Sequence, residues 1–251
     1  MIGTLRASHD YPPMNTNGTI QLALDASEPR LEGDGQSRAF PRHIAVEGPI
    51  GVGKTTLACR LAEHLQYPLM LEPAAENPFL DRFYQQGRRH ALPTQLFFLL
   101  HRSRQMTDLS SEDLVGTTLV SDFMIEKDDL FAKLTLDEHE YALYRQIYAA
   151  LDLATPAPDL VVYLQAPVNV LLTRIKRRGI NYERDIQFEY LERLNQAYTE
   201  FFHYYADAPV LVVNATEIDF ANNDAHFAAL LQQIQSMDGM RQYFNASPTL
   251  I

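Results

Sequence analysis

The sequence predicts an α/β fold in which a five-stranded parallel sheet is flanked by helices. Three observations carry this. From His43 onward, short apolar runs alternate with segments whose apolar residues recur at helical spacing. Leu160-Val161-Val162-Tyr163-Leu164 is a continuous apolar run, the pattern of a parallel strand covered on both faces. A glycine-rich turn at 48–53 separates an apolar run from an amphipathic one, as the first strand–helix junction of such a sheet requires.

The elements follow in order. Residues 1–40 mix Pro12, Pro13, Asn15, Gly18, Gly33 and Gly35 without periodicity and read as a mobile N-terminal extension, although Thr19 to Leu24 has some strand character. One domain is expected over 41–237. It opens with a strand at His43–Glu47 and a helix from Thr56 to about Leu65. Tyr67–Leu71 is a second strand. Asn77-Pro78 opens a helix through about Gln86, and Leu92-Pro93-Thr94 precedes a long helix to about Leu109. Thr118–Ser121 is the third strand, and Leu136-Asp137 begins a helix to about Ala154. After the fourth strand at Leu160–Leu164, Pro167 starts a helix, a charged segment follows, and an aromatic-rich helix runs to about Tyr205. Pro209–Asn214 is the fifth strand, Phe220–Ser236 the closing helix, and 238–251 a loose tail.

Composition narrows the function. The chain has 21 Lys+Arg against 32 Asp+Glu, a net charge of −11, which repels polyanions and speaks against wrapping nucleic acid. Cys59 is the sole cysteine, so neither a disulfide framework nor a zinc site is expected. No window of 18 consecutive apolar residues suggests a membrane span. Asp10, Asp25, Glu28, Glu32 and Asp34 argue against a secretory signal or a mitochondrial presequence, so a cytoplasmic protein is expected.

Gly48-Pro49-Ile50-Gly51-Val52-Gly53-Lys54-Thr55 spells G-x-x-x-x-G-K-[ST] between a strand and a helix. Glycines let backbone N–H groups turn toward phosphate oxygens, Lys54 reaches the outer phosphates, and Thr55 offers a hydroxyl to Mg²⁺. Thr56 continues the loop into the helix, whose N-terminus adds positive potential. ATP or GTP with Mg²⁺ is the expected ligand.

Further candidates lie where ligands bind in such sheets, beyond the C-terminal strand ends. Glu72 follows the second strand and is either a general base toward a γ-phosphate or a loop acid before Pro73. Asp122 ends the third strand and either helps organise Mg²⁺ or caps a helix. Gln95 and Arg102, seven residues apart, share a helix face and either read a nucleobase or form a polar surface stripe. Arg174-Ile175-Lys176-Arg177-Arg178 is either a basic lid over a triphosphate, with Arg174 and Arg178 on one face, or a solvated turn.

Other signals carry less. Asp113-Leu114-Val115-Gly116 matches a GTPase pattern, but no N-K-x-D accompanies it. His90 and His101 lack metal-ligand spacing, and Phe97-Phe98 and Phe201-Phe202 with Tyr204-Tyr205 read as core.

From about His43 to Phe220 the chain resembles the deoxynucleoside kinase family. The shared text is Val46-Glu47-Gly48 with Gly53-Lys54-Thr55, then Glu72-Pro73, Pro93-Thr94-Gln95 with Arg102, and Arg174-Ile175 through Arg178-Gly179, Glu183 and Glu189-Tyr190-Leu191-Glu192. The resemblance implies a P-loop kinase fold with a basic lid and phosphoryl transfer from ATP to a deoxynucleoside 5′-hydroxyl. Glu72 would be the general base and Gln95 would bond the nucleobase, with Arg102 at the substrate end of the same helix. Tyr84 and Glu183 would hold the 3′-hydroxyl, and Arg174 and Arg178 would belong to the lid. A homodimer is expected.

Two departures stand out. Many members carry an acid-Arg-Ser triplet where this chain has Asp122-Phe123-Met124, so the arginine near the 5′-oxygen is missing, and Lys127 is a candidate for its charge. Counting from Asp122, Asp128 takes the place of a base-reading aspartate; counting back from Phe131-Ala132, Lys127 does. Ile180 stands where a third lid arginine is common. With Asp128 in that place, a carboxylate beside Gln95 and Arg102 favours purines and wastes its contacts on thymine. Two other readings stay in view: a thymidylate-type monophosphate kinase, with Arg82, Arg88 and Arg89 holding the acceptor phosphate, and a catalytically silent nucleotide-binding regulator.

Overall fold

Alternate residues along the central strands go to opposite faces of the sheet, and both faces are apolar. Ile44, Val46, Val162, Leu164, Leu211 and Val213 join one core cluster, while Ala45, Val161, Tyr163, Val210 and Val212 join another. A sheet with two apolar faces needs a helical layer on each, which is why the sequence alternates strands with helices.

The computed structural model describes residues 19–20, 39–108, 118–151, 157–220 and 223–245. Its strands are β1 (Thr19–Ile20), β2 (His43–Glu47), β3 (Leu69–Met70), β4 (Leu119–Ser121), β5 (Leu160–Gln165), β6 (Val210–Asn214) and β7 (Arg241–Phe244). Its helices are α1 (Lys54–Leu65), α2 (Leu80–Gln86), α3 (Ala91–Asp108), α4 (Lys127–Thr135), α5 (Glu138–Ala150), α6 (Val168–Arg178), α7 (Phe188–Tyr204) and α8 (Asp224–Gln235). The strand order is β1-β3-β4-β2-β5-β6-β7. β2 lies between β4 and β5, so the loop leaving it enters the crevice where the strand order reverses.

α1 and α8 cover the first face through Leu57, Leu61, Leu230 and Ile234. α7 covers the second with Leu191, Leu194, Tyr198 and Phe202, joined by Leu130 of α4 and Ile175 of α6. α2 to α5 build a further cluster from Leu80, Phe83, Leu99, Ala132 and Tyr144. Asp137 starts α5 with a reciprocal cap: it accepts from Glu140 N at 2.9 Å, and Glu140 accepts from Asp137 N at 3.2 Å.

The five expected parallel strands are β2 to β6, and the sheet gains one strand at each edge. Thr19 and Ile20 pair antiparallel with Met70 and Leu69, while 1–18 and 21–38 lie outside the described residues, as does Asp113–Gly116. The segment expected as a loose C-terminal tail contains β7, which pairs parallel with β6 from Val210↔Arg241 to Val213↔Phe244. Its side chains are half-buried or exposed and show no alternation, so no periodicity announces it. α4 is the element the sequence reading passes over. It is short, and its first residue follows Glu126 with no side-chain cap, yet Asp128 and Asp129 at its start and Lys133 at its end complement the helix dipole.

Candidate active site

The turn after β2 fits only because two of its positions, Gly48 and Gly51, lack side chains. Gly48 has φ +148°, and a Cβ there would stand 2.4 Å from the Leu164 carbonyl oxygen. Gly51, at φ +83°, would place a Cβ 2.7 Å from Ile175 Cγ1 and 2.9 Å from the Leu171 carbonyl oxygen. The loop is thus wedged between β5 and α6. Gly53, at the N-cap of α1, is followed by Lys54, Thr55 and Thr56 in the helix's first turn, where free N–H groups point outward. Lys54 Nζ curls back to donate to the carbonyls of Gly48 at 2.7 Å and Pro49 at 3.3 Å. Burial, then the neighbouring Lys127 ammonium, lowers its pKa to about 8.

Asp122 closes the loop from the other side. Its Oδ2 accepts from Thr55 Oγ1 at 2.6 Å and its Oδ1 from the Glu72 N–H at 2.7 Å. No helix begins at Asp122, so the capping alternative is overturned; the acid joins the phosphate loop to β3's exit. Burial raises its pKa against the pull of the Thr55 hydroxyl and of Lys127 and Lys54. The Thr55 hydroxyl and Asp122 carboxylate are hard oxygen donors side by side, a set that fits Mg²⁺ carried by a nucleotide.

Glu72 is held by cations. Arg102 donates to its Oε1, and Lys127 Nζ lies 3.4 Å from its Oε2. Behind it, fully buried Glu47 accepts from the N–H of Gly48 at 3.1 Å, the N–H of Met124 at 2.8 Å and the Tyr198 hydroxyl at 3.1 Å. One carboxylate therefore ties the phosphate loop, the segment after β4 and α7 together. Sequence reading placed Glu47 in a strand and in the text shared with the family, but gave it no role. Its signal was an acid inside an otherwise apolar run, which must find donors to be buried.

Gln95 and Arg102 are 5% and 3% exposed, which removes the surface-stripe alternative. Arg102 also donates to Asp128 Oδ1, so it bridges Glu72 and Asp128. Its guanidinium lies 5.2 Å from the Phe98 ring centre and 5.6 Å from that of Phe123. Asp128 Oδ2 and Arg102 Nε are buried without a hydrogen-bond partner. Asp128 faces Arg102, and Lys127 faces Glu47 and Glu72. Gln105, one turn further along α3, donates to the Leu71 carbonyl at 3.1 Å and steadies the residue before Glu72.

Tyr84 on α2 and Glu183 in the turn Asn181–Glu183 come together because α2 packs against that turn. Burial, then Tyr190 and Glu183, pushes the Tyr84 hydroxyl well above its ordinary pKa, so it stays a neutral donor. A cavity of about 340 Å³ opens beside Tyr84 between α2 and the start of α7, lined also by Phe83, Thr135 and Tyr190.

The two lid arginines part company, a correction to their expected joint action. Arg178 forms a forked pair with Glu183, Nη2 donating to Oε1 at 2.6 Å and Nε to Oε2 at 3.2 Å. Arg174 instead donates to the carbonyls of Val52 at 3.1 Å, Ala215 at 2.7 Å and Thr216 at 3.3 Å. It fastens the phosphate loop to the segment after β6. Two guanidiniums can share a helix face and still reach opposite ways on their long stems.

Comparison with known proteins agrees with this arrangement. The deoxynucleoside kinase family model matches residues 44–237. The chain belongs to the deoxynucleoside kinase family. A deoxyguanosine kinase of Bacillus subtilis (strain 168) is 35% identical over 199 residues, covering 77% of this chain and 96% of that protein. A deoxyadenosine kinase of Dictyostelium discoideum is 32% identical over 206 residues, covering 80% and 82%. The solved structure of deoxyadenosine kinase from M. mycoides with bound dATP superposes with a TM-score of 0.68 at 28% identity, covering 78% of this chain and 100% of that one.

Family membership makes the chain an enzyme that phosphorylates deoxynucleosides, and it sets aside the monophosphate kinase and silent-regulator readings. The geometry agrees: Arg82, Arg88 and Arg89, offered as cations for an acceptor phosphate, are exposed, whereas the site's buried cations, Arg102 and Lys127, face carboxylates. Among the described residues no helix is long and apolar enough to cross a membrane.

Proposed function

We propose that this deoxynucleoside kinase transfers the γ-phosphoryl group of ATP to the 5′-hydroxyl of a purine deoxynucleoside, with Glu72 as general base. The observation that carries the proposal is the position of Glu72, between Asp122 on the phosphate-loop side and the Arg102–Asp128 pair on the other. A nucleoside whose base meets Gln95, Arg102 and Asp128 and whose 3′-hydroxyl meets Tyr84 and Glu183 presents its 5′-hydroxyl to Glu72. As that oxygen bonds to the γ-phosphorus, its proton passes to the Glu72 carboxylate, the bond from phosphorus to the β,γ-bridging oxygen breaks, and ADP leaves. Lys54 and Arg178 neutralise charge on the moving phosphoryl group. Thr55 and Asp122 would hold Mg²⁺, which supplies further charge neutralisation on the phosphates. Arg174 positions the loop by its carbonyl contacts.

Purine preference is supported by the relatives, a deoxyguanosine kinase and a deoxyadenosine kinase. Asp128 Oδ2 and Arg102 Nε are a buried acceptor and a buried donor without partners, and leaving either unmatched is costly, so a base that bonds both is favoured. The test is kcat/KM for deoxyadenosine, deoxyguanosine, deoxycytidine and thymidine, with wild type and Asp128→Ala. Wild type is expected to rank a purine first and thymidine last, and Asp128→Ala to flatten the ranking by roughly 10-fold or more, the loss of a charged hydrogen bond. A wild type that prefers thymidine, or a ranking that Asp128→Ala leaves untouched, defeats this account of specificity.

Mg²⁺ dependence, a cytoplasmic location and a homodimer belong to the same proposal. Exposed Leu100 on α3 and Leu143 on α5 offer apolar surface for a second copy. Sedimentation equilibrium should give twice the chain mass of 28.6 kDa, and a monomer at micromolar concentration would rule the dimer out.

A further inference from the structure

Lys127 lies against Glu72 but takes no part in the transfer step described above. It is 2% exposed in a protein of net charge −11, and burying an ammonium costs several kcal/mol unless its surroundings compensate. The compensation is loose. Nζ lies 3.5 Å from Glu47 Oε1 and 3.4 Å from Glu72 Oε2, beyond the ~2.8 Å of a tight charged hydrogen bond. Glu47 already accepts from two backbone N–H groups and the Tyr198 hydroxyl, so it does not depend on Lys127 to be satisfied. Glu72 is the partner for which the charge matters.

We propose that Lys127 is a positioning residue of the phosphoryl-transfer centre that acts through Glu72, holding that carboxylate aimed at the acceptor hydroxyl. The proposal rests on the reading of Glu72 as general base. Four carboxylates, Glu47, Glu72, Asp122 and Asp128, crowd this site against Arg102 and Lys54. Removing the Lys127 charge leaves Glu72 among like charges with only Arg102, divided between it and Asp128, to hold it, so the carboxylate is free to turn away from the acceptor hydroxyl. Phe123 completes the arrangement: its ring lies 5.8 Å from Lys127 Nζ and 5.6 Å from the Arg102 guanidinium, so the residue directly after Asp122 brings no charge of its own but serves as a face for two cations from neighbouring helices.

The charge on Lys127 is conditional. Burial lowers its pKa to about 8, Glu47 and Asp122 act to raise it, and Arg102 lowers it. Glu47 of β2, Lys54 of α1, Glu72 after β3, Arg102 of α3 and Asp122 after β4 are the charged groups that face it. Lys127 is therefore a cation below pH about 8 and loses its charge as pH rises through that value. Turnover should fall over the same interval. Lys54 also titrates near 8, so substitution at Lys127 has to assign the limb.

The experiment measures kcat and both KM values from pH 6 to 10 for wild type, Lys127→Met and Lys127→Arg, with ATP and the preferred deoxynucleoside. Lys127→Met should lower kcat by about 10²–10³-fold, the usual loss of one preorganised charge, with little change in either KM. Lys127→Arg should recover most of kcat, since a guanidinium stays charged across this range, and any alkaline loss that remains belongs to Lys54. A Lys127→Met enzyme with wild-type kcat, or a loss expressed only in KM, overturns the proposal. If Lys127→Met does not fold, Lys127→Gln takes its place in the same measurement, and wild-type kcat there overturns the proposal. A wild type inactive on every deoxynucleoside overturns the functional reading and this proposal together, whereas an active wild type whose kcat survives loss of the Lys127 charge overturns this proposal only.

Discussion

Lys54→Ala should lower kcat at saturating ATP by roughly 10³-fold, the upper part of the range for loss of one preorganised charge at a transition state. Without nucleotide the ammonium rests on the carbonyls of Gly48 and Pro49, within reach of anything the loop cradles. Nothing else on the loop is charged, and Lys127 is committed to carboxylates on the acceptor side. The N–H groups of the loop and of the first turn of α1 remain, so ATP should still bind, more weakly. Titration calorimetry for ATP and steady-state kcat separate the two effects. Near-normal turnover at saturating ATP would mean that this loop does not stabilise the transferring phosphoryl group.

The second large effect is expected at Glu72. Glu72→Gln should lower kcat by roughly 10²–10⁴-fold, the usual contribution of general-base catalysis. The amide keeps the shape of the carboxylate and can still accept a hydrogen bond from Arg102, but it cannot take a proton at neutral pH. Arg102 keeps its ion pair with Asp128, so the base-reading side should stay in place and the nucleoside KM should move little. Collapse of nucleoside binding with kcat unchanged would make Glu72 an orienting group and require another base.

The phosphate loop was legible because it couples composition to context: glycines where backbone must turn, between a strand and a helix. Glu72 and Asp122 were legible from a rule of position, since side chains at the C-terminal ends of central strands face the crevice. What was not legible is direction. Lys127 and Asp128 are neighbours on the first turn of α4, and adjacent helical residues point about 100° apart, so one meets Glu72 and the other Arg102. Counting residues cannot choose between them without the helix axis. Arg174 failed for a related reason: helical spacing fixes where its stem starts, while the carbonyls of Val52, Ala215 and Thr216 decide where it ends. Glu47 was hidden because its partners come from Gly48, Met124 and Tyr198, which only the folded sheet brings to one point.

β7 separates two boundaries that are easily confused. Similarity to the family stops at residue 237, but the sheet continues to Phe244. Trimming the chain to the region of similarity strips the backbone partners from the outer side of β6, whose Val210, Leu211, Val212 and Val213 are buried. The result is a flat, apolar row of unpaired N–H and C=O groups, the surface on which separate molecules stack into aggregates. For expression, tagging or crystallisation, the cut belongs beyond Phe244, where the last rung of the sheet is still in place.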